Sequence, residues 1–228
     1  MSKNIKKEEE NLKAVGEALS KGEKFLAENK TKIIRIITLA VVAVVAILGY
    51  VYLIAKPRET AAQEQISAAQ RYFEIDSLNL ALNGDGINLG FNEIIEEYGS
   101  TKAGKLAHFY AGVCNLHMGN FEEAISLLKD FDGQDEILQA RAYCGIGDAY
   151  VELAQFDDAV AYFMKAANYR ENNFSAAYLM KAGLVYEQLG KYAEAMETYK
   201  KIKTHYSKTT EAQEIDKYIE RTKIKQLK

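Results

Sequence analysis

Three glycines fix the register of the C-terminal two thirds of this chain. Gly147 is followed at offsets of 3, 9, 12, 16 and 19 residues by Tyr150, Phe156, Ala159, Phe163 and Ala166. Gly183 is followed at the same offsets by Tyr186, Tyr192, Ala195, Tyr199 and Ile202. Gly112 heads a third copy with Asn115, Phe121, Ala124, Leu128 and Phe131, which keeps the aromatic residue and the alanine and departs at the first and last slots. The glycines stand 35 and 36 residues apart, and each unit places a turn between two helical patterns: Met118-Gly119-Asn120-Phe121, Leu153-Ala154-Gln155-Phe156 and Leu189-Gly190-Lys191-Tyr192. A period of this length means one supersecondary unit stacked on its neighbours, because a single hairpin buries too little apolar surface to stand alone. One Pro in 228 residues agrees with long uninterrupted helices and argues against a turn-rich β-sandwich.

The pattern resembles the tetratricopeptide repeat (TPR), with a Gly and a Tyr on the first helix and an aromatic, an Ala and an aromatic on the second. The residue types follow from packing: a glycine lets two helices approach closely, and a large ring fills the space above it. The resemblance implies an all-α fold, a right-handed TPR superhelix of helical hairpins. Phe91, Ile94 and Tyr98 repeat the second-helix spacing in a degenerate unit, preceded by an expected helix over 59–82 and a turn at Asn83-Gly84-Asp85-Gly86. Ile215, Tyr218 and Ile219 mark one face of an otherwise polar helix, the cap that a solenoid needs for solubility.

Upstream, residues 36–55 carry no charge, and about 20 apolar residues in a helix match a bilayer core of roughly 30 Å. The segment is too long for the apolar part of a cleaved signal peptide, so a single transmembrane helix is expected, with the lipid bilayer contacted through 33–55. Lys21, Lys24, Lys30, Lys32 and Arg35 precede it, whereas Lys56, Arg58 and Arg71 follow. That bias favours a cytoplasmic N-terminus and a C-terminal body on the far side, with Tyr50 and Tyr52 in the outer headgroup belt. Leu12, Val15, Leu19 and Leu26 trace one face of a Lys/Glu-rich lead segment. The expected organisation is therefore a polar or amphipathic segment at 1–32, a membrane helix at 33–55, a degenerate repeat and lead-in helices at 57–101, three repeats at 102–207 and a capping helix at 208–228.

Several kinds of chemistry find no support. A net charge of −3, with +3 confined to the first 35 residues, gives no electrostatic reason to bind nucleic acid. Gly84, Gly86 and Gly90 are spaced unlike a dinucleotide loop and follow no strand, so they read as a turn. His108, His117 and His205 lack ligand spacing, and no metal or other cofactor is expected. The acid pairs Glu122/Glu123 and Asp157/Asp158 fall at the start of second helices, where they complement the helix dipole, and no nucleophile stands with a base, so no enzyme is expected. Cys114 and Cys144 sit at different heights on neighbouring units, beyond the roughly 7 Å Cα separation a disulfide tolerates, and should be free, buried thiols.

Stacked repeats present an extended concave surface lined by first helices, so the expected function is protein–protein interaction. The family's inner-face offsets fall on Leu106, Phe109, Val113 and Leu116, on Arg141, Cys144, Asp148 and Val151, and on Ala177, Met180, Leu184 and Glu187. Chaperone-tail-binding members clamp carboxylates with Lys and Asn at places that here hold Phe109/Val113, Cys144/Asp148 and Met180/Leu184, so a clamp of that kind is not expected. The segment Lys24-Phe25-Leu26-Ala27-Glu28-Asn29-Lys30, followed by one membrane pass and repeats, resembles the bacterial ancillary SecYEG translocon subunit. The stretches Ala81–Gly86 and Glu97–Thr101 are similar to membrane-anchored repeat proteins of Bacteroidetes. The resemblance to the translocon subunit implies a periplasmic scaffold at the inner membrane, engaging SecYEG and periplasmic chaperones. A scaffold for envelope assembly or cell division coordination, or an accessory subunit of another membrane complex, is the alternative.

Overall fold

The computed structural model describes residues 2–133 and 135–227; within residues 2–26, side chains are described only at Gly16, Ser20, Glu23 and Lys24. The face proposed at Leu12, Val15, Leu19 and Leu26 lies outside the described residues. Every described element is helical: α1 (Ser2–Tyr50), a π-helical turn (Val51–Ala55), α2 (Lys56–Glu74), α3 (Leu78–Asn83), α4 (Phe91–Tyr98), α5 (Lys102–Met118), α6 (Phe121–Asp130), α7 (Glu136–Glu152), α8 (Phe156–Asn168), α9 (Ser175–Gln188), α10 (Tyr192–His205) and α11 (Thr210–Gln226). The chain divides into two compact units, the first ending at Pro57 and the second beginning at Arg58.

In the first unit, one helix is long and apolar enough, among the described residues, to cross a membrane, and none of its most apolar 18-residue window is buried. Leu39, Val42, Val45 and Leu53 are all exposed. At the end of this stretch the Lys56 N–H reaches Val51 O, one residue further back than in an α-helix. Pro57 explains the wide turn: it offers no N–H to Leu53 O, and its ring crowds that carbonyl.

The second unit is a run of antiparallel hairpins in which each helix from α4 to α11 packs on the next. The three glycines occupy equivalent positions. A Cβ built at Gly112 would stand 2.6 Å from Leu128, one at Gly147 2.6 Å from Phe163 and one at Gly183 2.3 Å from Tyr199, in each case the residue 16 positions later. The side chain over each glycine therefore comes from the second helix of the same hairpin, not from the neighbouring unit. Leu128, Phe163 and Tyr199 are fully buried, as are Ala124, Ala159 and Ala195 beneath them, while Phe121, Tyr150, Phe156, Tyr186 and Tyr192 are half-buried.

The turns match as closely as the glycines. Gly119, Ala154 and Gly190 are all left-handed, at φ of 83°, 56° and 71°. The next residue's N–H closes each turn onto a carbonyl five residues back: Asn120 to Asn115, Gln155 to Tyr150 and Lys191 to Tyr186. This arrangement satisfies carbonyls that a helix end would leave orphaned. Thr101 caps α5 by accepting from Gly104 N–H, and Asp135 caps α7 by accepting from Ile137 and Leu138 N–H.

The lead-in differs from the sequence expectation. The helix expected over 59–82 breaks after Glu74, where Asp76 takes φ 60°, and resumes as α3. The Gly84–Gly90 loop is pinned from within: Asp85 accepts hydrogen bonds from Ile87 N–H, Asn88 N–H, the Asn88 amide and the Tyr72 hydroxyl. Those amide and hydroxyl bonds hold the Asp85 carboxyl well below the usual carboxylate range. The loop amides at Ile87 and Asn88 are thus already occupied by a carboxylate of the chain itself. At the other end α11 lays Ile215 and Thr222, both fully buried, against the stack, with Tyr218 and Ile219 packed beside them.

Candidate functional site

A cavity of about 490 Å³ opens where α5, α7 and α9 converge. It collects six residues of the expected concave lining, Phe109, Val113, Arg141, Cys144, Asp148 and Ala177, together with Ile137, Gly145, Phe174, Tyr178 and Lys181. The helical period explains the convergence: Arg141, Cys144 and Asp148 lie at steps of three and four residues along one face of α7. Ile137 and Phe174, 46% and 55% exposed, form an apolar rim.

The polar part of the cavity spans the helices. Lys181 Nζ donates to both oxygens of Asp148, at 2.6 and 2.7 Å, and so ties α9 to α7. Burial opposes the charge on Lys181, but the Asp148 carboxylate outweighs it and holds its pKa above the ordinary lysine value. Burial pushes the Cys144 thiol up to about 12, with Asp148 adding to the effect, and pushes the Tyr178 hydroxyl up to about 12. Cys144 is therefore a neutral wall of the site rather than a nucleophile. Cys114, likewise raised to about 12 chiefly by burial, is free and buried, as Cys144 is.

The remaining lining residues do not join this cavity. Leu106 faces a separate depression of about 560 Å³ beside Phe131 and Leu138. Leu116, Val151 and Met180 are half-buried and spend their surface against the core, and Leu184 faces solvent. Glu187 corrects the expectation outright. Only 7% exposed, it accepts hydrogen bonds from the Tyr199 hydroxyl at 2.9 Å, Arg221 Nη2 at 2.6 Å and Lys225 Nζ at 3.0 Å. Burial opposes its charge, but these donors prevail and lower its pKa to about 2. It is bound to α10 and the capping helix, and at 4% side-chain exposure it is closed to a partner.

Sequence reasoning missed Lys181. The inner-face offsets point to Met180, one position away, and only the 33-residue pairing with Asp148 shows that the lysine belongs to the site. Among the described residues no group of three or more His, Cys, Asp and Glu could hold a metal ion. His108 Nδ1 lies 3.1 Å from Gly104 O, a contact within its own helix.

Stacked hairpins with glycine pivots, matching left-handed turns and a lined concavity define a helical-repeat interaction protein. The sequence matches the family model of the tetratricopeptide repeat-like domain over residues 23–227, and the chain belongs to that family. The matched region begins ahead of the apolar helix and runs through α11. Among functionally curated proteins, none matches this sequence.

Proposed function

We propose that this chain is a membrane-anchored scaffold that holds protein partners in its concave face on the periplasmic side of the bacterial inner membrane, in association with the secretion translocon and periplasmic chaperones. The observation that carries the binding role is the cavity shared by α5, α7 and α9, with its apolar rim at Ile137 and Phe174. A concavity spanning three first helices is where repeat proteins take up extended chain or a partner helix. The unburied apolar helix supports the anchor, and the excess of Lys and Arg before it supports the orientation. The layout of lead segment, single pass and repeats supports the translocon association.

A photo-crosslinking residue placed at Phe174 in the full chain tests this reading in cells. Capture of channel subunits supports it, whereas reproducible capture of envelope-assembly or cell-division enzymes replaces the translocon with the alternative scaffold role. For orientation, a cysteine introduced at Ile224 should react with a membrane-impermeant maleimide in intact spheroplasts, while one at Lys24 should not. The reverse result would place the body in the cytoplasm.

A further inference from the structure

We infer that the cavity between α7 and α9 selects a segment of partner chain that carries an acidic group beside a bulky apolar side chain, and that Arg141 reads the acid. This rests on the scaffold reading above and specifies its ligand. The volume of about 490 Å³ falls in the ~300–1,000 Å³ range of sites that take in a ligand group. Its walls at Phe109, Val113, Ala177 and Tyr178 favour an apolar side chain.

The charges decide what must accompany that side chain. Lys181 is neutralised by Asp148 through two short contacts. Arg141 is exposed in the same cavity and forms no ion pair among the described residues, which leaves one net positive charge at the mouth. Glu74 shares the adjoining depression with Arg141 and Phe109 without forming an ion pair with the arginine. A partner that covers the mouth strips water from the guanidinium. An apolar or basic partner would leave that charge desolvated and unpaired, which opposes its binding. A carboxylate instead meets the guanidinium fork in bidentate geometry, the strongest pairing the site can offer.

The test uses the full chain in detergent micelles against an array of random octapeptides, with the best binders remeasured by fluorescence anisotropy beside twins in which Asp or Glu becomes Asn or Gln. Bound peptides should be enriched in an acidic residue next to Phe, Leu, Ile or Met, and the acidic form should bind about tenfold tighter than its amide twin. Arg141→Gln should bring that ratio to within twofold, by weakening the acidic form and tightening the amide twin, while leaving the melting temperature unchanged, and Arg141→Glu should turn the preference towards basic peptides. The inference is overturned if the bound peptides show no acidic enrichment, or if the ratio survives Arg141→Gln. Either result leaves the scaffold reading standing, because peptides still bind. No peptide binding at all, together with no crosslink from Phe174, removes both.

Discussion

Asp148 on α7 and Glu187 on α9 are each a carboxylate on a first helix, and each is reached by a cation from the next helix of that kind: Lys181 for Asp148, Arg221 and Lys225 for Glu187. Their surroundings separate them. The Asp148 side chain keeps 34% of its exposure and stands in an open cavity, whereas Glu187 keeps 4% and lies beneath the capping helix with a tyrosine hydroxyl as its third donor. The same pairing therefore leaves the middle of the concave face available to a partner and seals its end. A charged residue at an inner-face offset is not by itself a binding residue; what covers it decides.

The two places share their glycine pivots, and the largest expected effect tests whether that equivalence is energetic as well as geometric. Gly147→Leu and Gly183→Leu force a side chain into rings that stand only 2.6 and 2.3 Å from a Cβ position. Each should lose about 3 kcal/mol of stability, even after helix propensity returns about 1 kcal/mol. Thermal melts followed by circular dichroism would break the equivalence if one variant melted like the parent.

Glu187→Ala should cost ~2 kcal/mol, because it leaves the fully buried Tyr199 hydroxyl without its acceptor, while Arg221 and Lys225, each 45% exposed, can rehydrate. Asp148→Ala should cost under ~1 kcal/mol, since both partners are part-exposed and can rehydrate. Denaturant titrations of the two variants compare them directly, and equal losses would end the distinction between a sealed and an open pair.

Acid sharpens the same contrast. The Glu187 pKa is lowered to about 2 in the folded chain, against about 4.3 for an unfolded glutamate, so the unfolded state binds the proton first as pH falls. Its contribution is complete above the unfolded value and disappears as pH drops through the folded one. Stability should decline between about pH 4.5 and pH 2, and the part of that decline owed to this carboxyl should be absent in Glu187→Gln, as melts across that range would show.

The smallest effect concerns the turn between α7 and α8, where Ala154 takes the left-handed conformation that glycine takes in the other two. Ala154→Gly should raise stability by ~1 kcal/mol by relieving the clash of Cβ with the backbone. A lower melting temperature would mean that this turn is held by forces the other two lack.

The glycine register was readable because helix contact demands a small residue opposite a large one, and the demand recurs at fixed offsets. The capping helix was readable for the same reason, through Ile215, Tyr218 and Ile219. The break at Asp76 was not: Ile75, Asp76 and Ser77 contain no Gly or Pro, and it is the tertiary tether from Tyr72 to Asp85 that accompanies the end of α2 there. The candidate site was half readable. The family's inner-face offsets pointed to Phe109, Val113, Arg141, Cys144, Asp148 and Ala177, but they could not foresee that Glu187 would be claimed from 34 and 38 residues away, or that Lys181 rather than Met180 would reach across.

Because the hairpins of Gly112, Gly147 and Gly183 each turn on a glycine opposite the residue 16 positions on and share the same left-handed turn between their helices, the stretch from Gly147 to Ala182 should behave as an interchangeable cassette. It contains both Asp148 and Lys181. Inserting a second copy would lengthen the solenoid by one hairpin and carry a further bridged cleft with it, so the number of clefts could grow by duplication alone, with the apolar N-terminal helix and the terminal cap left as they are.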